Sequence, residues 1–272
     1  SVNLSQNWLI IKDCQGVPYP VFAEGFVRSC KAVVGAIPFG SVYSLVVVLP
    51  EGSQEPAPGQ FYMLHALRSN SLLGRPISVY HTNLSELGEL EVEFLILVKG
   101  TGTKELCSLV EYDKINLLGP CGNRFVNPKI RENDKALIIG GGIGVAPVAG
   151  FAESLPPKSY DFYASFKSGS YGLEYINPDN LVITTDDGSV GVKGMLPVAL
   201  TKEAVLKGNY KVIYACGPTP MLAYIKDIAK ECGIQCWLSM EAHMACGVGV
   251  CLGCTIKTTE GKKRCCKEGP VF

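Results

Sequence analysis

Histidine and tryptophan are scarce in this chain, with three and two residues among 272. His65, His81 and His243 are scattered, and no catalytic triad or general acid–base pair is evident around them. Charge of either sign is not in excess: 25 basic residues face 25 acidic ones, for a formal net charge of +0. No basic stripe and no interleaving of basic with aromatic residues is present, which excludes nucleic acid as the expected partner. There is no acidic or basic tail. A surface so close to neutral gives little colloidal repulsion, which suits a subunit of a complex. Long hydrophobic runs are missing too. The longest, ALIIGGGIGVAPVAGF at 136–151, is broken by six glycine or proline residues and falls short of the ~18–20 residues of a membrane span. The opening SVNLSQNWLI has no charged n-region, long apolar core or small-residue cleavage site. The expectation is a soluble, cytoplasmic protein that does not enter the membrane.

What the chain has in abundance is glycine, 30 residues, and cysteine, 12 residues. Hydrophobic residues make up 47%, and the length suffices for two domains and a small appendage. Residues 1–24 form an irregular lead with one apolar stretch, WLII, and read as an N-terminal extension. From 25 to 128 short β-rich runs follow one another: SVYSLVVVLP, QFYML, ISVYHT, LEVEFLILV and INLLG. EGSQEPAPG, NLSELGE and GTGT separate them as turns. That spacing predicts an all-β barrel or sandwich. One helix is predicted in TKELCSLVEY, with Leu106, Leu109 and Val110 on one face.

From 129 to 235 strands alternate with helices. KALIIGG, YDFYASF, NLVITTD and KVIYAC read as strands, and VAPVAGFAESL, GMLPVALTKEAV and PMLAYIKDIAKEC as helices, the last stopped by Gly233. Such alternation predicts βαβ units and a parallel, Rossmann-like sheet. From 236 to 272 the periodicity stops, and the chain becomes rich in glycine and cysteine.

Four stretches are suited to bind nucleotides. Gly140, Gly141, Gly142 and Gly144 lie between a strand and a helix, where glycines let the backbone turn tightly and approach a pyrophosphate. CGPTPML, with Cys216 and Gly217, sits at the C-terminal end of a late strand, the edge at which open α/β sheets bind ligands. A Cys-Gly-Pro turn there presents a soft thiol and free amides to a planar ring, or simply caps the strand with a buried cysteine. In RPISVY, Arg75 offers a fork of donors suited to phosphate, although an arginine at a strand end usually pairs with a carboxylate. GTGT, with Gly102 and Thr103, opens a helix where an anion is held.

The dispersed cysteines read as small buried hydrophobes. The last stretch, MACGVGVCLGCTIKTTEGKKRCCKEGPVF, is different, because five of the twelve fall within it. Cys246-x4-Cys251-x2-Cys254 is the plant-type [2Fe–2S] spacing, and a further cysteine follows after a short interval. Thiolates give iron soft anionic ligands. The interleaved Gly247, Gly249 and Gly253 let the loop curl and free its amides for the sulfurs. A four-cysteine zinc site would favour two paired knuckles, and only one CxxC is present, since Cys265 and Cys266 are adjacent. Spacing therefore favours iron over zinc or disulfides and leaves Cys265 and Cys266 both open as the fourth ligand. His243, three residues before Cys246, reads as a neighbour of the ligands or a surface residue.

Taken in order, RPIS, GTGT before a helix, GPCGNRF, GGGIGVAPV and CGPTPML resemble the ferredoxin–NADP reductase superfamily over about residues 25–235. The resemblance implies a six-stranded antiparallel FAD-binding barrel followed by an NAD-binding α/β domain. It implies that Arg75 pairs with the FAD phosphates and that Pro76, Ile77 and Ser78 line the isoalloxazine, with Ser78 near N5. Leu95, Ile96 and Leu97 would contact the adenosine side through backbone, and Gly102 and Thr103 would hold the pyrophosphate. Gly141, Gly142 and Gly144 would cradle the nicotinamide nucleotide, with Cys216 and Gly217 at the nicotinamide. The acidic TTDD at 184–187 tilts the reading toward NAD. The tail, with ACGVGVCLGC and a final KEGPVF, and also DDGSVGVKG at 186–194, resembles one branch, the electron-transfer subunits of dihydroorotate dehydrogenase B. That branch implies Cys266 as the fourth ligand beside Cys246, Cys251 and Cys254. It also implies a heterotetramer with an FMN-containing catalytic subunit that oxidises dihydroorotate, its electrons reaching NAD+ through the [2Fe–2S] cluster and FAD. Electron-transfer subunits of bifurcating ferredoxin–NADP oxidoreductases and cytosolic hydrogenases share the layout and form the alternative.

Overall fold

A computed structural model describes residues 20–38, 40–67, 70–126 and 134–272. Most of the N-terminal extension and the expected boundary at 128/129 lie outside the described residues. Strands β1 (Val21–Ala32), β2 (Val42–Val48), β3 (Phe61–Ala66), β4 (Arg75–Leu84), β5 (Leu90–Leu97) and β6 (Lys114–Cys121) close a barrel in the order β1-β2-β5-β4-β3-β6. Every neighbouring pair is antiparallel. Period-two alternation builds it. In β6, Ile115, Leu117 and Gly119 turn inward, the residues between them are half-buried, and Cys121, past a register shift in the β3–β6 pairing, is buried under the tail. Gly119 is required there, because a Cβ would lie 2.3 Å from the Tyr62 ring. Val27, Leu45, Val47, Phe94, Ile96 and Ile115 are fully buried in the barrel core, each contributing roughly 1.5–3 kcal/mol.

Two sequence expectations change in this domain. The first strand begins at Val21, inside the expected extension, and its alternation is obscured by Glu24, Gly25, Arg28 and Lys31 and by a bulge between Val27 and Ser29. The helix α1 is only Thr101–Cys107. Ser108 caps it by donating to the carbonyls of Glu105 and Leu106. Val110 therefore does not share a face with buried Leu106 and is 63% exposed.

The second domain is a parallel sheet in the order β10-β9-β8-β7-β11-β12. Its strands are β7 (Lys135–Gly141), β8 (Tyr160–Phe166), β9 (Asn180–Thr185), β10 (Val192–Lys193), β11 (Tyr210–Cys216) and β12 (Gln235–Ser239). Ala136 to Ile139 are fully buried, as a central strand covered on both faces requires. Helices α2 (Val145–Glu153), α3 (Lys202–Gly208) and α4 (Thr219–Cys232) accompany it. The single helix expected over 194–205 is two pieces: a 3₁₀ turn at Leu196–Val198 containing Pro197, then α3, capped by Thr201, whose hydroxyl accepts the Ala204 amide. Gly233 ends α4 in the left-handed conformation, φ 67°. The sheet runs through β12 to Ser239, beyond the expected division at 235, because QCWLS pairs in register with β11.

The remaining residues form a loop and a hairpin, β13 (Thr255–Thr258) with β14 (Gly261–Arg264). The last residues return to the α/β sheet. Leu238 and Phe272 exchange backbone bonds at 2.8 and 2.9 Å, and the Met240 amide donates to Pro270 at 2.8 Å. The tail thus pairs with the outer edge of β12. Barrel and sheet are tied directly as well: Tyr80 donates to Glu174 at 2.6 Å, and His81 meets Glu153 at 2.8 Å.

Candidate functional site

The three parts meet at one cleft of about 220 Å³. From the barrel come the N-terminal half of β4 and the end of β5. The α/β domain adds the turn after β7 and the end of β11, and the tail adds Met240, Glu241, Ala242, Met244 and Pro270. Of the residues singled out in the sequence, Arg75, Pro76, Ile77, Ser78, Leu95, Leu97, Thr103, Gly144 and Cys216 line it. Ile96 does not. Strand alternation turns it into the barrel core, where it is fully buried.

Arg75 lies flat on α1, since a Cβ on Gly102 would sit 2.3 Å from its Nε. Its Nη2 donates to the Ser71 hydroxyl at 3.4 Å, and no carboxylate among the described residues forms an ion pair with it. The usual fate of a strand-end arginine therefore does not apply, and a cation faces the cleft with donors to spare. Thr103 is already occupied: its hydroxyl accepts the amides of Lys99 and Gly100 at 2.9 and 3.0 Å and donates to the Gly100 carbonyl at 2.9 Å. It shapes the turn.

The glycines of the α/β domain divide by role. A Cβ on Gly144 would lie 2.7 Å from the Cys216 carbonyl, so this glycine lets the two turns touch at the cleft wall. Gly141 and Gly217 face away from the cleft, packed on Met221 of α4. Gly142 has φ 54° and open space beside it. Cys216 is buried, which pushes its thiol up to about 12. It offers a neutral, polarisable surface and no nucleophile.

Cleft residues that sequence reasoning missed include Phe61, Lys99, Ser239, Met240, Glu241 and Pro270. Phe61 was accessible in principle, since it stands opposite Ser78 in the β3–β4 register. Lys99 lies in the turn between β5 and α1 and Ser239 ends β12, while Met240, Glu241 and Pro270 arrive with the tail, which no local pattern announces.

The tail thiols fall into two pairs. The Cys251 amide approaches the Cys246 sulfur at 3.5 Å. Burial raises the Cys246 thiol, but the amides of Cys251, Val248 and Val250 outweigh it and bring it down to about 6. Cys254 and Cys266 are buried with their sulfurs 3.3 Å apart. Among the described residues, no three His, Cys, Asp or Glu groups converge as for a single metal ion. One zinc needs four donors around one point, whereas a two-iron cluster takes its four thiolates as two pairs, so the donor set suits the cluster. Cys265 is fully buried, its thiol pushed up to about 11 by burial. His243 is exposed.

The thiol loop rests on the barrel. A Cβ on Gly247, φ 70°, would lie 2.6 Å from Met63 Cγ and 3.6 Å from Cys121 Sγ. Met63 and Cys121 belong to the same buried cluster as Phe61, which lines the cleft. Phe61 and Met63 stand on the same outer face of β3, so this cluster lies between the thiols and the cleft.

Residues 241–272 match the family model for the iron-sulfur cluster binding domain of dihydroorotate dehydrogenase B. The chain is 39% identical over 233 residues to the dihydroorotate dehydrogenase B (NAD(+)) electron transfer subunit of Clostridium acetobutylicum, covering 85% of this chain and 89% of that one. It is 37% identical over 238 residues to the subunit so named in Clostridium perfringens, covering 85% and 89%. Among solved structures, an NADH-dependent reduced ferredoxin-NADP oxidoreductase described for flavin-based electron bifurcation superposes with a TM-score of 0.71 at 24% identity, over 91% of this chain and 87% of that one. That likeness shows the fold.

Proposed function

The chain belongs to the family of dihydroorotate dehydrogenase B (NAD(+)) electron transfer subunits, and from that premise we propose that it carries electrons between NAD and a separate FMN-containing subunit that oxidises dihydroorotate to orotate in pyrimidine biosynthesis. In this reading the resident groups are FAD and a [2Fe–2S] cluster, NAD is the co-substrate, and the assembly is a heterotetramer. One observation carries it: barrel, α/β turns and tail all line one cleft, with the thiol loop packed on Met63 in the same buried cluster as the cleft residue Phe61.

When bound, the flavin supplies hydride exchange with the nicotinamide and single-electron exchange with the cluster. The chain's own residues hold and orient. Arg75, lying on Gly102, offers its free guanidinium donors to the flavin diphosphate. Pro76, Ile77 and Ser78 form the floor under the flavin ring, and Leu95 and Leu97 keep water from its adenosine side. Gly144 and Cys216 bring the nicotinamide turn against that floor, with Gly141, Gly142 and Gly217 setting the turn's shape. Cys246, Cys251, Cys254 and Cys266 hold the iron. No residue of the cleft is asked to act as nucleophile.

In this reading the protein works in a reducing, cytoplasmic setting, where thiols stay available to iron. No helix of the described residues is long and apolar enough to cross a membrane. The test is reconstitution: this chain loaded with flavin and iron, the catalytic subunit, dihydroorotate and NAD+ are combined, and NADH is followed by absorbance. NADH formation that requires all four components is expected. Its absence from a fully loaded mixture would overturn the dihydroorotate partner and favour a different electron donor.

A further inference from the structure

Arg264 closes the hairpin strand β14, two residues before Cys266. Its Nη1 donates to the Gly249 carbonyl at 2.9 Å, inside the loop that carries Cys246 and Cys251. Gly249 has φ 81°, and a Cβ there would come within 3.3 Å of that same nitrogen. The guanidinium is thus laid on the thiol loop from outside. Its electrostatic neighbours include the sulfurs of Cys266 and Cys254.

Glu268 is folded onto the same arginine. Its carboxylate accepts Arg264 Nε at 3.0 and 3.1 Å and the Arg264 backbone amide at 2.7 Å, and it also takes Nη2. The turn is closed around one acceptor: the amides of Lys267, Glu268 and Gly269 all converge on the Arg264 carbonyl, at 3.1, 2.9 and 3.2 Å. Both side chains are about 30% exposed, so the pair is held by geometry in a partly dry setting. A pair like this adds little to stability at a surface. Beside an iron centre the same charges have a second effect, because charge and hydrogen bonding around the sulfurs set the potential.

We propose that Arg264 and Glu268 are a tuning pair for the [2Fe–2S] cluster, Arg264 raising its reduction potential and Glu268 offsetting part of that rise. This rests on the cluster assignment made above. Reduction adds one electron to the cluster and changes neither residue's protonation. The cation, which faces the sulfurs, stabilises the added negative charge. The carboxylate, held on the guanidinium, opposes it. Each partner therefore has its own sign.

The signs make the test. The full chain with flavin and cluster is titrated potentiometrically, the reduced cluster being followed by electron paramagnetic resonance and iron and sulfide being counted for each variant. Arg264→Gln keeps a donor for Gly249 and removes the charge, and its midpoint potential falls. Glu268→Gln keeps an acceptor for the Arg264 amide, and its potential rises. Arg264→Lys retains the charge and stays close to the wild type. Shifts of Arg264→Gln and Glu268→Gln in the same direction, or no shift in either, overturn the proposal, since a purely structural role carries no sign. Should Arg264→Gln lose its iron, Glu268→Gln decides alone, and a fall or an unmoved potential overturns it. A wild-type chain without the resonance of a reduced cluster sinks the cluster assignment instead.

Discussion

Cys265 and Cys266 are neighbours in sequence and both are buried, yet it is Cys266 whose sulfur meets that of Cys254. Spacing cannot separate two adjacent thiols; the sulfur contact with Cys254 favours Cys266. Cys265 lies in the same buried cluster as Cys254 and Cys266, with Phe61, Met63 and Cys121, and a neutral thiol there behaves as a small hydrophobe. Cys266→Ser is expected to abolish iron binding, and Cys265→Ala to retain full iron at a cost of about 1 kcal/mol for the small void. Iron analysis with thermal unfolding checks both, and iron loss from the Cys265 variant alone would reverse the assignment. Arg75 is a second case where the fold decides. The sequence leaves open whether it pairs with a carboxylate, and the structure gives it Gly102 as a flat seat and no ion pair among the described residues. A charge-assisted bond to phosphate contributes about 1.5–3 kcal/mol. Arg75→Ala should therefore weaken FAD binding roughly ten- to hundredfold, measured by quenching of flavin fluorescence on titration into the apoprotein.

Elements were legible in proportion to how locally their signals are written. β7 is an uninterrupted apolar run ending in glycines, and α4 ends at Gly233, the residue expected to stop it. β1 was missed because its pairing, not its pattern, makes it a strand: it is held by β2 on one side and β6 on the other, across a bulge. The α/β sheet also contains a polar tie that hydrophobic periodicity does not register. Asp161, at the start of β8 and 5% exposed, accepts Lys135 of β7 at 2.7 Å, Tyr210 of β11 at 2.6 Å and Asn180 of β9 at 2.9 Å. Burial raises its carboxyl, but these donors prevail and hold it below the usual value. A depressed folded value means that stability is fully present above the unfolded value of ~3.9 and is lost as pH falls through the folded one. Asp161→Asn should cost about 1–3 kcal/mol at neutral pH, because Tyr210 and Lys135 lose a charged acceptor. The gap between variant and wild type should narrow as pH drops below about 4. Denaturant unfolding at pH 7 and at successively lower pH checks this, and a gap that stays constant through the acid range contradicts it.

At the scale of the whole molecule, the parts are joined by the chain end, and GPCGNRF is where the barrel receives it. Asn123, just after β6, donates through Nδ2 to the carbonyls of Glu268 and Val271 at 2.9 and 2.7 Å. Its Oδ1 accepts the Val271 amide at 2.9 Å, and its own amide donates to Gly269 at 2.6 Å. Gly122 beside it has φ 75°, and a Cβ there would strike the Gly269 carbonyl at 2.7 Å. The motif and KEGPVF could be recognised separately in the sequence. That they clasp each other could not, because the contact spans 148 residues and depends on the tail pairing with β12. The clasp sets where the thiol loop sits relative to the cleft, so its loss should show first in the cluster. Asn123→Ala removes three side-chain bonds and leaves buried carbonyls without donors, about 2–4 kcal/mol in total. Asn123→Asp, nearly identical in shape, should fail almost as badly, because two of the three bonds are donated by the amide nitrogen. In both variants iron should be released at a lower temperature than flavin, while the barrel and sheet persist, as followed by visible absorption and far-ultraviolet circular dichroism in one thermal scan. If cluster, flavin and secondary structure are instead lost together at the wild-type midpoint, the tail is anchored by β12 alone and Asn123 is a bystander.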